Sequence, residues 1–224
     1  DFVRGLRDAL AKDNGTIFRY ATHENTVLRQ IRSQLLDTPA PDQAELVAFI
    51  DSITQPRKNE DGEAGRRNML DLREIVLEHY YYPLMGGSSS IKKVIPAVLE
   101  EPRFLREKYS VPVYGRGLTI PSLNFRKMVW ITLGAAGRVK DPYKMLPPVF
   151  SDLPQNLFDD GAPMFQDESI DDGGAAMTAW GRMQFTEMKD VERAAIQAAL
   201  LKYCELDTLS MVWLLEYWRH LVFR

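Results

Sequence analysis

The run from Val191 to about Phe223 restricts the fold most, because it reads as one long helix with Asp190 as its N-cap, and the rest of the chain must cover its apolar side. Its middle carries Leu201-Lys202-Tyr203-Cys204-Glu205-Leu206-Asp207-Thr208. Residues four apart share a helix face, so Tyr203 and Asp207 project side by side while Glu205 points elsewhere. On spacing alone, such a pair is usually a core-edge aromatic beside a solvated carboxylate. Beside an acidic cleft it can instead supply a carboxylate for a divalent metal and a phenol to hold the metal-bound water.

A chain of 224 residues, 45% hydrophobic, can bury the core of one large domain. Its 28 basic and 31 acidic residues give a net charge of -3, so no global positive field marks it for nucleic acid. A nuclease remains compatible, since a carboxylate site is acidic and bound metals supply the positive charge. The one cysteine, Cys204, excludes an internal disulfide framework and fits a reducing, cytoplasmic setting; it is expected to be a small buried helix residue rather than a nucleophile. No apolar run approaches a membrane span, and Asp1 to Arg7 is not a signal peptide, so no membrane partner is expected. The start directly inside an amphipathic pattern reads as a trimmed fragment.

Hydrophobic periodicity predicts a helix over 2–12, a break at Asp13-Asn14-Gly15 and a β-prone run from Thr16 to Tyr20. Thr22 is placed to cap a helix bearing Val27, Leu28, Ile31, Leu35 and Leu36, and a further helix is expected from Asp42 to Ile53. Gln55 to Arg67 reads as an exposed loop; the element opening at Asn68 reads as helical through Leu77 and ends at Tyr80-Tyr81-Tyr82-Pro83. A Gly86-Gly87-Ser88-Ser89-Ser90 turn precedes a helix from Ile91 to Leu99, whose start, with Ser90, Lys92 and Lys93, can receive a phosphate, although plain capping by serine is commoner. From Glu101 to Asp160 the Pro, Gly and aromatic content predicts long loops and short strands rather than a separate core, and Asp159 to Gly174 reads as a mobile or capping segment.

Tyr203-Cys204-x-x-Asp207 followed by Thr208 and an apolar helix resembles the third exonuclease motif of the tyrosine-type DEDD 3′-5′ exonucleases. Three stretches together resemble an uncharacterised bacterial domain family related to these ribonuclease-H-like enzymes: Phe18 to Leu28, Tyr82 to Val98 with its Gly87-Ser88-Ser89-Ser90-Ile91-Lys92-Lys93, and Leu200 to Val212. The first looks like the second exonuclease motif, with Glu24 in place of the usual Asp, just past a strand end and at a helix N-terminus, where α/β sheets gather ligand-binding residues. As an ordinary first-turn acid, Glu24 would simply favour the helix dipole. The three histidines show no zinc-ligand spacing, and Asp71 resembles a recurring Asp of such folds, with a structural or substrate-positioning role.

The resemblance implies a helix-rich α/β chain, 1–224, with a ribonuclease-H-like exonuclease fold incomplete at its N-terminus and a loop-rich insertion at about 101–174. It implies hydrolysis of phosphodiester bonds in DNA or RNA, with Glu24 and Asp207 as ligands of two Mg²⁺ or Mn²⁺ ions and Tyr203 orienting water. Lys92, Lys93 and Ser90 would hold the nucleic-acid backbone, while loop aromatics such as Tyr114 or Trp130 would stack on bases. The first motif, a strand ending in Asp-x-Glu, is missing ahead of Glu24, and Asp61-Gly62-Glu63 follows the second motif and cannot replace it. An upstream segment or a second chain would have to complete the site. The alternative is a non-catalytic nucleic-acid- or protein-binding module on a degenerate nuclease scaffold.

Overall fold

A computed structural model describes residues 1–56, 61–134, 137–151 and 169–223. The chain is helix-rich, carries two small parallel strand pairs, and divides into two compact units, Asp1–Tyr81 and Tyr82–Arg224.

In the first unit, α1 (Phe2–Leu10) turns Val3 inward, with Leu6 and Leu10 against the same core. Its polar side reaches α3 (Gln43–Ile53), where Arg4 and Arg7 hold Asp42 at 2.7 Å and Glu45 at 2.9 Å. Strand β1 (Phe18–Arg19) runs parallel to β2 (Leu70–Asp71), with Arg19 opposite Asp71. Parallel strands need a long crossover, and α2 (His23–Asp37) and α3 supply it. The core between them is Val3, Leu28, Leu46, Ile50, Ile53 and Met69.

Asp71 ties these pieces together. Its carboxylate accepts from the Ala21 amide at 2.9 Å and the Arg73 amide at 3.0 Å, the second bond capping α4 (Leu72–His79). It also pairs at 3.5 Å with Arg19, both side chains being buried. Buried Asn25 on α2 works in a similar way, giving its amide to the Gln55 carbonyl and accepting the Gln55 amide. Thr22 precedes α2 as expected, but its side chain makes no capping bond.

In the second unit, Gly86 and Gly87 take φ of 60° and 77° and turn the chain into α5 (Ile91–Glu100). Then come α6 (Arg103–Tyr109), the short parallel pair β3 (Tyr114–Gly115) and β4 (Ile120–Pro121), α7 (Gly173–Phe185) and α8 (Asp190–Val222). The long C-terminal helix begins at Asp190 itself, and the preceding Lys189 amide is capped by the Glu192 carboxylate at 3.0 Å. Ile196, Tyr203, Leu206, Leu209, Ser210, Trp213, Leu214 and Tyr217 form its buried stripe, and α5 and α7 pack along it.

The segment after Glu101 departs from expectation in content. It includes α6, which ends in buried Tyr109, and the described chain beyond it is core material: Tyr114, Phe125, Trp130 and Tyr143 are all buried. Trp130 meets Trp213 at 5.8 Å, Phe125 at 5.1 Å and Tyr114 at 5.8 Å between ring centroids, mostly edge to face, which suits aromatic quadrupoles. Tyr114 and Trp130 are therefore not base-stacking surfaces, being 5% and 0% exposed. The helix stripe needs apolar cover, and these rings provide it. Part of the expected Asp159–Gly174 segment, 159–168, lies outside the described residues; the rest leads into α7, whose first turn is capped by Asp172 accepting from Ala175 at 2.8 Å.

Gly115 lets two backbones meet. At φ 150° it lies where a Cβ would come within 2.3 Å of the Arg126 carbonyl oxygen. Gly115→Ala is expected to destabilise the second unit by about 2 kcal/mol. Trp130, Trp180, Trp213 and Trp218 all belong to that unit, so tryptophan fluorescence in urea reads it selectively. Asp71→Ala strips the partner from buried Arg19 and is expected to cost the first unit about 3 kcal/mol, visible as an earlier transition by far-ultraviolet circular dichroism.

Candidate functional site

Helix α8 places Tyr203 and Asp207 on one face, one turn apart, as the spacing requires. The Asp207 carboxylate accepts a 2.7 Å bond from the Tyr143 phenol, which also lies 3.2 Å from the Ser210 hydroxyl on the next turn of α8. The Tyr203 phenol lies near enough to the same carboxylate to pull its pKa down. Tyr143 itself is fixed by a capped turn in which Asp141 accepts from the Tyr143 amide at 3.0 Å.

Lys92 enters this cluster from the first turn of α5. Its ammonium lies 4.7 Å from the Tyr203 ring centre and 5.0 Å from that of Tyr143, a cation held between two aromatic faces. It donates to the Asp171 carbonyl at 3.0 Å, and Asp207, Asp172, Asp171 and Asp141 surround it electrostatically.

Burial sets the protonation states. Desolvation raises the Asp207 pKa above the usual carboxylate range, against the opposing pull of the Tyr143 bond, Lys92 and Tyr203. Desolvation lowers Lys92, offset by the four acids. Desolvation and the Asp207 charge push Tyr143 and Tyr203 up, so both phenols stay protonated and act as donors. The cluster can bind and orient an oxygen-bearing ligand; its tyrosines cannot act as bases at neutral pH.

Two further expected site residues of the second unit stand outside this cluster. Lys93 and Ser90 are exposed at the start of α5, and the Ser90 side chain makes no capping bond. Glu24 belongs to the first unit, exposed in the opening turn of α2, with its pKa raised by desolvation and moderated by its own backbone hydrogen bond, His23 and Arg19. Cys204 is exposed rather than buried, and desolvation and the Asp207 charge raise its pKa, which leaves the thiol unactivated. Glu205, facing away from the cluster, accepts from Tyr114 at 2.5 Å and from the Asn124 side chain at 2.6 Å. Sequence reasoning missed Tyr143, Ser210 and the anchoring role of Glu205. The only local signal for Tyr143 is Asp141-Pro142, a turn start that fixes its backbone without saying what the ring meets.

Two-metal phosphodiester hydrolysis needs several carboxylates converging on one point. Asp207 is the carboxylate that Tyr143 engages, and a lysine ammonium already supplies positive charge beside it. Among the described residues no group of three or more His, Cys, Asp and Glu is arranged to hold a metal. These residues alone do not fit a two-metal centre. No family model, curated protein or solved structure matches the chain.

The ordinary aspartate pKa is 3.8, and Asp207 lies above it when folded. The folded state therefore binds this proton more tightly, and the Asp207 contribution to stability falls as pH rises from 3.8 through the raised value. In Asp207→Asn that loss should vanish from melting curves taken between about pH 4 and pH 7. Lys92→Met should raise the Asp207 pKa further, read from its carboxyl carbon shift in an NMR titration.

Proposed function

We propose that the chain is the C-terminal portion of a ribonuclease-H-like 3′-5′ exonuclease domain that acts on DNA or RNA. The observation that carries the reading is the Tyr203–Asp207 pair on one face of α8 with the Lys92 ammonium over the Tyr203 ring. A purely structural helix has no need to bury a carboxylate with two phenols and a lysine around it, because each desolvated charge opposes folding. The parallel β1–β2 pair, with helices in its crossover and Glu24 just beyond β1, adds an element order in keeping with that fold.

In this reading Lys92 meets a substrate phosphate, and the protonated Tyr203 donates a hydrogen bond that fixes the attacking water or the scissile phosphate. Asp207 contributes its carboxylate. Mg²⁺ or Mn²⁺ enters only with further acids from outside this chain, supplied by an upstream segment or a second chain.

The second reading is a non-catalytic binding module on a degenerate nuclease scaffold. The lysine beside Asp207 favours it, since a resident ammonium neutralises the carboxylate that a metal would otherwise engage. No helix among the described residues is long and apolar enough to cross a membrane.

An end-labelled single-stranded oligonucleotide with Mn²⁺ separates the two. This chain alone is expected not to cut, whereas a longer form carrying upstream Asp-x-Glu acids shortens the oligonucleotide from its 3′ end. Asp207→Asn in that form should slow cutting by about 100-fold or more. Cutting that is indifferent to Asp207→Asn, or absent with both Mg²⁺ and Mn²⁺ in every form, sinks the exonuclease reading.

A further inference from the structure

The net charge of -3 hides an uneven distribution. Between Ser110 and Lys140 the second unit holds Arg116, Arg126, Lys127, Arg138 and Lys140 and not one Asp or Glu. Arg126 and Lys127 join Asn124, Phe125 and Lys202 of α8 in lining a cleft of about 460 Å³. Lys202 precedes Tyr203 in the helix, so the cleft lies on a face adjoining that of the Tyr203–Asp207 cluster.

The wall bearing Arg126 and Lys127 is built rigidly. The Arg116 amide donates to the Phe125 and Arg126 carbonyls at 2.9 and 3.1 Å, and the Met128 amide to the Tyr114 carbonyl at 2.8 Å. The Ser122 hydroxyl accepts the Phe125 amide at 2.8 Å, and Glu205 on α8 holds Asn124. Gly115 permits the close approach of the two backbone segments. Despite this framework, Arg126 and Lys127 are exposed, and among the described residues no carboxylate pairs with either. Arg126 and Lys127, two unpaired cations on a fixed wall, repel one another and are best satisfied by an anionic chain passing through the cleft.

We propose that this cleft binds the phosphodiester backbone of single-stranded nucleic acid. The substrate class rests on the nuclease reading above; the charge and shape belong to the cleft itself. Arg126 and Lys127 contact successive phosphates from one side and Lys202 from the other, with the Asn124 amide as a further donor. The concave shape suits a strand better than a lipid surface, which calls for a projecting apolar and basic face.

The test is fluorescence anisotropy of a labelled oligothymidine with the full chain in EDTA, titrated with salt, so that no cutting intervenes. Binding is expected to weaken with salt, and Arg126→Ala/Lys127→Ala should raise Kd and lower the slope of log K against log salt by about 1.4, roughly 0.7 per lost phosphate contact. Arg103→Ala/Lys189→Ala removes the same charge elsewhere on the unit and should leave the slope unchanged. Equal losses in both double variants, or no binding by the wild type at low salt, overturn the proposal. So does loss of binding to phosphatidylserine vesicles in the Arg126/Lys127 variant while oligonucleotide binding persists. A chain that binds in this manner but never cuts in any form defeats the exonuclease reading alone; cutting that is untouched by the Arg126/Lys127 change defeats the cleft alone. Both residues are exposed, so unchanged tryptophan-fluorescence unfolding verifies that the variant is folded.

Discussion

The second unit depends on covering one face of a 33-residue helix. Leu206, Trp213 and Leu214 of α8 are completely buried, and exposing such side chains to water would cost about 1.5–3 kcal/mol each. α5 and α7 cover part of the stripe. The rest is covered by Tyr109 at the end of α6 and by irregular chain bearing Trp130, both rings standing edge-on to Trp213. Loops rich in proline and glycine thus act as core because the helix leaves them apolar surface to bury.

That arrangement also explains why polar groups concentrate where they do. The stripe of α8 is interrupted at Tyr203, Asp207 and Ser210, and each interruption must find partners or incur the cost of an unsatisfied buried group. Tyr143 satisfies two of them at once, and Lys92 balances the charge. Glu205, on another side of the same helix, uses its carboxylate to pin the Asn124 loop. One helix therefore anchors both a half-buried anionic cluster and the wall of a basic cleft, and the separation of the two follows from their angular positions around its axis. The first unit solves a comparable problem with Asp71, which caps α4, holds Ala21 and pairs with Arg19.

Sequence by itself determined most of the helices, because amphipathic periodicity and end signals are local. α1, α2, α3, α5 and α8 lie within a few residues of the ranges that periodicity and caps prescribe, and Tyr203 and Asp207 share a face because helical geometry leaves no alternative. α6 and α7 escaped notice: α6 is only seven residues long, and α7 opens on Gly173-Gly174 after a polar, acidic stretch that reads as loop. Only the tertiary structure decided that Lys92 joins Tyr203, that Tyr143 rather than a metal-binding acid meets Asp207, that Trp130 is core, and that Arg126, Lys127 and Lys202 share a cleft. Those pairings join residues from about 60 to more than 100 positions apart. They are fixed by which surfaces remain to be covered once the helices have formed, and no local pattern encodes that.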